Sequence, residues 1–194
     1  PGDPREQSGL VRDQERFLSY REDLLEACAG ICERYASRMG FAGMEVADDP
    51  LTEQRRLFGG TSEGVSLHAL RTYYRRAYDI IRSCAGDEVV VVLPDAGRPG
   101  NWRGFMARER YHNVWLDCHL FHHTDRIDAA GPSAVHALVE DSRAHLARAR
   151  KSGLPVMVGK WSASLPYADS MMTPEGLLAL QRVYVSEQLA AFSS

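Results

Sequence analysis

The sequence has no dense set of cysteines, no block of basic residues and no apolar run of the roughly 20 residues that a membrane-spanning helix needs. Its four cysteines are scattered, and no two of them form a Cys-x2-Cys pair. We therefore expect reduced thiols rather than a disulfide framework, and no zinc bound through these cysteines. Reduced thiols favour a cytoplasmic location, and a secreted one is the alternative if an N-terminal segment is missing.

The charge is nearly balanced, and this also excludes some classes of partner. A net charge of −3 without a basic stripe predicts neither nucleic-acid binding nor attachment to an anionic membrane. The apolar fraction of 44% and the charged fraction of 25% are ordinary for a globular protein. There is no internal repeat and no low-complexity segment, so we expect one domain over residues 1–194.

Hydrophobic periodicity predicts helices and strands in alternation. Residues 1–20 are polar and rich in turn formers, which indicates a loop. Helical spacing follows over about 22–39, over 67–81 behind a Ser66 cap, over 133–151, and from Thr173-Pro174-Glu175 to about 192. The strands are predicted at 43–47, 89–93, 113–119 and 155–159. This alternation is typical of a parallel α/β fold, in which sites assemble at the carboxyl ends of the strands.

Polar and aromatic residues follow each predicted strand. The four clusters are Asp48-Asp49-Pro50, Pro94-Asp95-Ala96, the segment from Asp117 to His123, and Gly159-Lys160-Trp161-Ser162. Because parallel strands end at one edge of a sheet, we expect the side chains of Asp49, Asp95, His119 and Lys160 to converge there.

These clusters resemble the strand ends of family 5 glycoside hydrolases, especially the exo-β-1,3-glucanase branch. Gly43-Met-Glu-Val-Ala-Asp-Asp-Pro50 is similar to that family's fourth-strand motif Gly-Ile-Glu-Leu-Leu-Asn-Glu-Pro. Residues 73–82 resemble the helix before its fifth strand, and residues 1–9 resemble the loop after its third. Leu116-Asp-Cys-His-Leu-Phe121 is similar to its Asp-x-His-x-Tyr strand end, and Val158-Gly-Lys-Trp-Ser162 to its nucleophile motif Gly-Glu-Trp-Ser. The resemblance implies a (β/α)8-barrel fold of which this chain covers about strands four to seven.

The resemblance also implies that both catalytic glutamates are replaced. Asp49 stands at the position of the acid/base and Lys160 at that of the nucleophile. An ammonium group cannot attack an anomeric carbon, and it repels a transition state that resembles an oxocarbenium ion. Phe121 replaces the tyrosine that would hydrogen-bond the nucleophile, and Asp48 replaces the asparagine beside the acid/base. We therefore expect retaining hydrolysis to be lost.

Each candidate residue also has a plainer interpretation. Asp48 and Asp49 are either an acid/base pair or turn residues before a proline, and Lys160 is either a functional cation or an ion-pair partner of Asp49. His119 is predicted to line the site, whereas His122 and His123 are predicted to be loop residues without a metal. Trp161, Trp102, Phe121 and Asp95 are candidate ligand-binding residues, and buried packing is the alternative for the two tryptophans.

Three functions follow as hypotheses. The first is a glycosidase-like protein without hydrolysis, which keeps a cleft for a saccharide or another polyhydroxylated or cyclic ligand and needs no cofactor. The second is an enzyme with new chemistry, such as a cyclisation or an elimination, in which Asp48, Asp49, His119 and Lys160 serve as acid/base groups. The third is a structural or interaction module. Because four parallel strands cannot close into a barrel, we also expect a second chain or a missing segment to supply the others.

Overall fold

A computed structural model describes residues 13–53, 64–122, 132–165 and 173–193. Four helices and four strands are present there. The helices are α1 (Gln14–Tyr35), α2 (Leu67–Ala85), α3 (Pro132–Ala149) and α4 (Pro174–Phe192). The strands are β1 (Gly43–Glu45), β2 (Val90–Pro94), β3 (Val114–Leu120) and β4 (Val156–Trp161). Short 3-10 turns at Pro99–Trp102 and Arg150–Ser152 complete the list.

The four strands form one parallel sheet in the order β1-β2-β3-β4. Strands that neighbour each other in sequence are also neighbours in space, with intervening chain that crosses back over one side of the sheet. This is the arrangement of half a (β/α)8 barrel, and it confirms the predicted fold class.

The helix starts follow from capping side chains. Ser66 and Thr173 accept hydrogen bonds from the backbone N–H groups of Ala69 and Gly176, as the sequence predicted. The predicted loop over residues 1–20 is wrong for residues 14–20, which are helical. Asp13 caps α1 by accepting from Arg16 N at 2.8 Å, and the buried Phe17 extends the apolar face of the helix by one more turn.

The core lies between the sheet and its helices. Alternate residues of β2 and β3 point into it, including Val91, Leu93, Leu116 and Cys118, all completely buried. The opposite face of β3 carries Trp115, Asp117 and His119, which would face the interior of a closed barrel. None of the described helices is long and apolar enough to span a membrane.

Candidate functional site at the strand ends

The carboxyl ends of β1, β3 and β4 bring together a cluster of charged side chains. Asp48 and Asp49 follow β1, whereas His119 and Lys160 are paired across β3 and β4 in the sheet register. Side chains paired in this way lie on the same face of the sheet, so both point toward the open interior. The convergence predicted for Asp49, His119 and Lys160 is therefore present, and Asp95 is treated separately below.

His119 is the centre of this cluster. Its Nδ1 atom lies 3.2 Å from Asp49 Oδ1, and its Nε2 atom lies 3.2 Å from Asp117 Oδ2 and 3.3 Å from Glu45 Oε1. Nε2 carries only one hydrogen, so Asp117 and Glu45 compete for it, and Glu45 Oε1 is a buried oxygen without a directed hydrogen bond among the described residues. Asp49 has a left-handed backbone with φ of 46°, which aspartate tolerates better than most side chains.

Three carboxylates around one imidazole decide its charge. Burial of the ring opposes protonation, but the hydrogen bonds to Asp117 and Asp49 and the close Glu45 carboxylate outweigh it and raise the pKa of His119 to about 11. Only the protonated ring can donate from both nitrogens at once. His119 is thus a fixed cation at neutral pH and is poorly suited to proton transfer, because an acid/base group works best with a pKa near the working pH.

Lys160 forms an ion pair with Asp48. Partial burial lowers the pKa of Lys160, but the contact with Asp48 and the nearby charges of Glu45 and Asp49 raise it overall. The expected ion-pair partner was Asp49, and the structure corrects this, because Asp49 is turned toward His119. The pair remains accessible, with 41% of the Lys160 side chain and 72% of the Asp48 side chain exposed.

Gly159 lets Asp117 approach the backbone of β4. The Gly159 N–H donates to Asp117 Oδ1 at 2.6 Å, and a Cβ atom at residue 159 would overlap the Asp117 carboxylate. A glycine is needed here for close approach rather than for a positive φ. The buried carboxylate is held by Gly159 on one side and by His119 on the other.

Asp95 does not join the strand-end cluster. Its side chain is buried and bonded to His145 of α3 and to the Gly97 N–H, and the same carboxylate contributes to raising the pKa of the buried Cys118 thiol. Burial is the larger cause of that shift in pKa. Cys118 faces the helices, so Asp95 links β2 to α3 on the side away from the open interior. This corrects its assignment as a ligand-binding residue.

The three candidate aromatic residues have different environments. Trp102 is fully buried, is stacked on Tyr74 at 5.1 Å between ring centroids, and donates from Nε1 to Asp95 O at 2.6 Å. Trp161 packs edge-on against Phe192 of α4 at 5.6 Å. The expectation that Trp102 stacks on a ligand is therefore wrong, because its ring is fully buried. Trp161 is only partly buried, and its role in ligand binding stays a prediction. Phe121 is 43% exposed at the end of β3 and is accessible to a ligand.

Of the two histidines that follow β3, only His122 lies within the described residues. His122 lies in the loop after β3 and forms hydrogen bonds with Tyr184 Oη at 2.6 Å and Ser142 Oγ at 3.1 Å, so it connects this loop to α3 and α4. His123 and residues 1–9 lie outside the described residues. Within the described ranges, two groups of side chains place possible metal-ligand atoms within 4.8 Å of one another: Asp95, Cys118 and His145, and Glu45, Asp117 and His119. In both groups a histidine nitrogen already contacts a carboxylate.

Sequence reasoning did not assign Glu45 and Asp117 to the site. Asp117 is a buried acidic residue in a mostly buried strand, two residues before His119, which places the two on one face. A buried carboxylate needs a compensating partner, and that requirement could have identified Asp117. Glu45 ends β1 and is partly exposed, so its sequence position gave no such signal. The contact between Asp95 and His145 joins residues 50 positions apart, so no local sequence pattern could have predicted it.

No family model matches the chain. A stretch of 104 residues, 53% of the chain, is 29% identical to the probable glucan 1,3-beta-glucosidase A of Aspergillus terreus and covers 24% of it. Among solved structures, a GH5-4 broad specificity endoglucanase from Clostridium longisporum matches 94% of the chain with a TM-score of 0.63 and 17% identity. Endo-glycoceramidase II from Rhodococcus sp., solved as a lactosyl–enzyme intermediate, matches 88% with a TM-score of 0.56 and 17% identity. An endogalactoceramidase matches 75% with a TM-score of 0.53 and 18% identity.

These similarities confirm the predicted resemblance to family 5 glycoside hydrolases. At such identities the solved structures show the fold, which is a partial (β/α)8 barrel of the glycoside hydrolase type. The chain spans 53% of the endoglucanase, 36% and 33% of the two ceramidases, and 24% of the curated relative.

Proposed function

We propose that this chain is part of a glycosidase-like protein that does not hydrolyse glycosides and binds a saccharide, or another polyhydroxylated or cyclic ligand, at its strand ends. The observation that carries the proposal is the ion pair between Lys160 and Asp48. Lys160 stands where the resemblance requires the nucleophilic glutamate. A paired ammonium group with a raised pKa stays protonated and has no lone pair with which to attack.

The electrostatics of the cluster support the loss of hydrolysis. A retaining glycosidase uses two carboxyl groups roughly 5–5.5 Å apart, one as nucleophile and one as acid/base. Here Asp49 stands at the acid/base position, but its carboxylate contacts the cationic His119, which favours the ionised form over the protonated acid. Both roles that the reaction needs are therefore opposed by the charges around them.

The same cluster supports ligand binding. Asp48, Asp49 and Lys160 are partly exposed and offer hydrogen-bonding groups that suit hydroxyl groups. Phe121, which is 43% exposed directly after β3, offers apolar surface for a sugar ring beside these groups. We further propose that additional barrel strands, from this polypeptide or a second chain, cover the two edges of the sheet and part of this face.

The alternative of an interaction module is favoured by the same ion pair, because Lys160 and Asp48 already satisfy each other and could close the cleft. Repurposed acid/base chemistry is less well supported, since His119 is held in one charge state. The two leading hypotheses make opposite predictions about saccharide binding.

The experiment is calorimetric titration of the full chain with a β-1,3-linked glucose trisaccharide and with lactose, together with chromatography of the mixture. We expect binding without release of monosaccharide. Phe121→Ala should weaken binding, while Tyr35→Ala, which removes an equally exposed aromatic ring on α1, should leave it unchanged. Release of glucose would contradict the loss of hydrolysis. No binding of either sugar would favour the interaction module.

A further inference from the structure

A second concave site, built by α2 and the segment before β3, is lined by five arginines. Arg71 and Arg75 come from α2, and Arg103, Arg108 and Arg110 come from the segment of residues 103–111. They surround a cavity of about 250 Å³ together with Gly104, Phe105, Met106 and Tyr111. None of these residues belongs to the strand-end cluster, so the two sites use separate side chains.

Several of the guanidinium groups are held in place by aromatic rings. The Cζ atoms of Arg71 and Arg75 lie 5.2 and 4.9 Å from the centroid of Phe105, whose side chain is buried. Arg110 lies 4.8 Å from the Tyr111 ring and donates to its hydroxyl at 3.0 Å. Stacking of this kind fixes the plane of a guanidinium. Arg71 also donates from Nη2 to Asn101 O, so the two hydrogen bonds of Arg71 and Arg110 further orient these side chains beside the cavity.

The positive charge of this cavity is not neutralised within the described chain. Among the described residues, no carboxylate lies within 4 Å of any of the five cavity arginines, whereas Arg76, Arg82 and Arg143 each have such a partner. Arg71 Nε is buried and has no hydrogen-bond partner there. Burial, and to a smaller extent the like charge of Arg75, lower the pKa of Arg71.

We propose that this cavity binds a phosphate or diphosphate group. Five arginines around one cavity, in a chain of net charge −3, form a local concentration of positive charge. A planar guanidinium donates two parallel hydrogen bonds to a phosphate, and several around one cavity match a dianion or a more highly charged group. The proposal is independent of the function of the strand-end site.

The test is calorimetric titration of the full chain with inorganic pyrophosphate and with glucose 1-phosphate, at low ionic strength and again with about 0.15 M salt. We expect saturable 1:1 binding that salt weakens but does not abolish. Arg75→Gln and Arg108→Gln should each weaken it roughly tenfold. Tighter binding of pyrophosphate would indicate a free diphosphate as ligand, and tighter binding of the sugar phosphate a phosphorylated saccharide.

The matched control is Arg38→Gln, which removes the same charge from an exposed arginine outside the cavity. Its affinity should stay within about twofold of the wild type. Circular dichroism checks that all three variants fold. Equal loss in Arg38→Gln and Arg75→Gln, or failure of the wild type to saturate with either probe, would overturn the proposal, because general attraction between charges would then explain the binding.

Discussion

His119 Nδ1 lies 3.2 Å from Asp49 Oδ1, so a histidine cation faces the Asp49 carboxylate, for which we propose the position of the acid/base glutamate. The contact joins the end of β3 to the turn after β1, where Asp49 has a left-handed backbone. It also couples the charge of the site to the stability of the fold. A change at either residue should therefore alter both.

The stability of the chain should depend on pH through His119. Its pKa is raised from an ordinary value near 6.5 to about 11 in the fold, so its contribution is fully present below about pH 6.5. That contribution is lost as the pH rises toward 11. The free energy of unfolding of the wild type, measured in urea, should fall between pH 7 and pH 10 more steeply than that of His119→Gln. The control His68→Gln, at an exposed histidine, should keep the wild-type slope; equal slopes in all three would contradict the assignment.

Removal of the Lys160 cation should have little effect on stability. Its ion pair with Asp48 is accessible on both sides, and exposed pairs contribute about 0–1 kcal/mol. Lys160→Met should change the free energy of unfolding by less than about 1 kcal/mol, similar to Lys151→Met at an exposed lysine. A loss of more than about 2 kcal/mol specific to Lys160→Met would indicate that the lysine is required for the fold rather than retained at the site.

Gly159→Ala should be markedly destabilising, because the new methyl group would displace the Asp117 carboxylate and weaken its hydrogen bonds to Gly159 N and His119. We expect a loss of about 1–3 kcal/mol in the free energy of unfolding. Gly30→Ala is the matched control, since nothing lies within 4 Å of a Cβ there and the residue is helical. That substitution should be neutral or stabilising by about 0.5–1 kcal/mol. Similar effects of the two substitutions would refute the close approach.

The positions of the strands were predicted more accurately from the sequence than the pairing of side chains within the site. The strand positions followed from apolar runs such as Val89 to Leu93, because such runs depend on neighbouring residues alone. The corresponding strand, β2, is shifted by one residue from the predicted range. The positions of Asp49, His119 and Lys160 at one sheet edge followed from strand order. The pairing of Lys160 with Asp48 instead of Asp49 could not be predicted in this way. The backbone angles of the turn decide which of the two adjacent aspartates faces the lysine, and the sequence does not specify those angles.

The tryptophans show a second limit of sequence reasoning. Trp102 and Trp161 both follow a strand, where an exposed ring would suit a sugar. The burial of Trp102 depends on Tyr74, which approaches from α2, and Trp161 is partly covered by Phe192 of α4. Contacts between residues so far apart in the chain leave no local pattern in the sequence.

The reversal of the replacements tests the ancestry of the site. Lys160→Glu, Asp49→Glu and Phe121→Tyr restore the two carboxyl groups and the tyrosine that the family resemblance specifies. Asp48→Asn is added because Asp48 would otherwise face the new glutamate at residue 160 without its lysine. In a complete barrel the quadruple variant should gain weak retaining activity on aryl β-glucosides, while Lys160→Glu alone should gain little, since geometric errors below 1 Å are costly in such sites.

Covalent labelling tests the central claim, that Lys160 occupies the place of a lost nucleophile, most directly. The wild type and the quadruple variant, each in a complete barrel, are incubated with an activated 2-fluoro-glucoside and analysed by intact mass and peptide mapping. We predict no adduct on the wild type and one glycosyl adduct on the variant, at the glutamate introduced by Lys160→Glu. A labelled wild type, or a folded variant that acquires no label at that residue, would contradict the account.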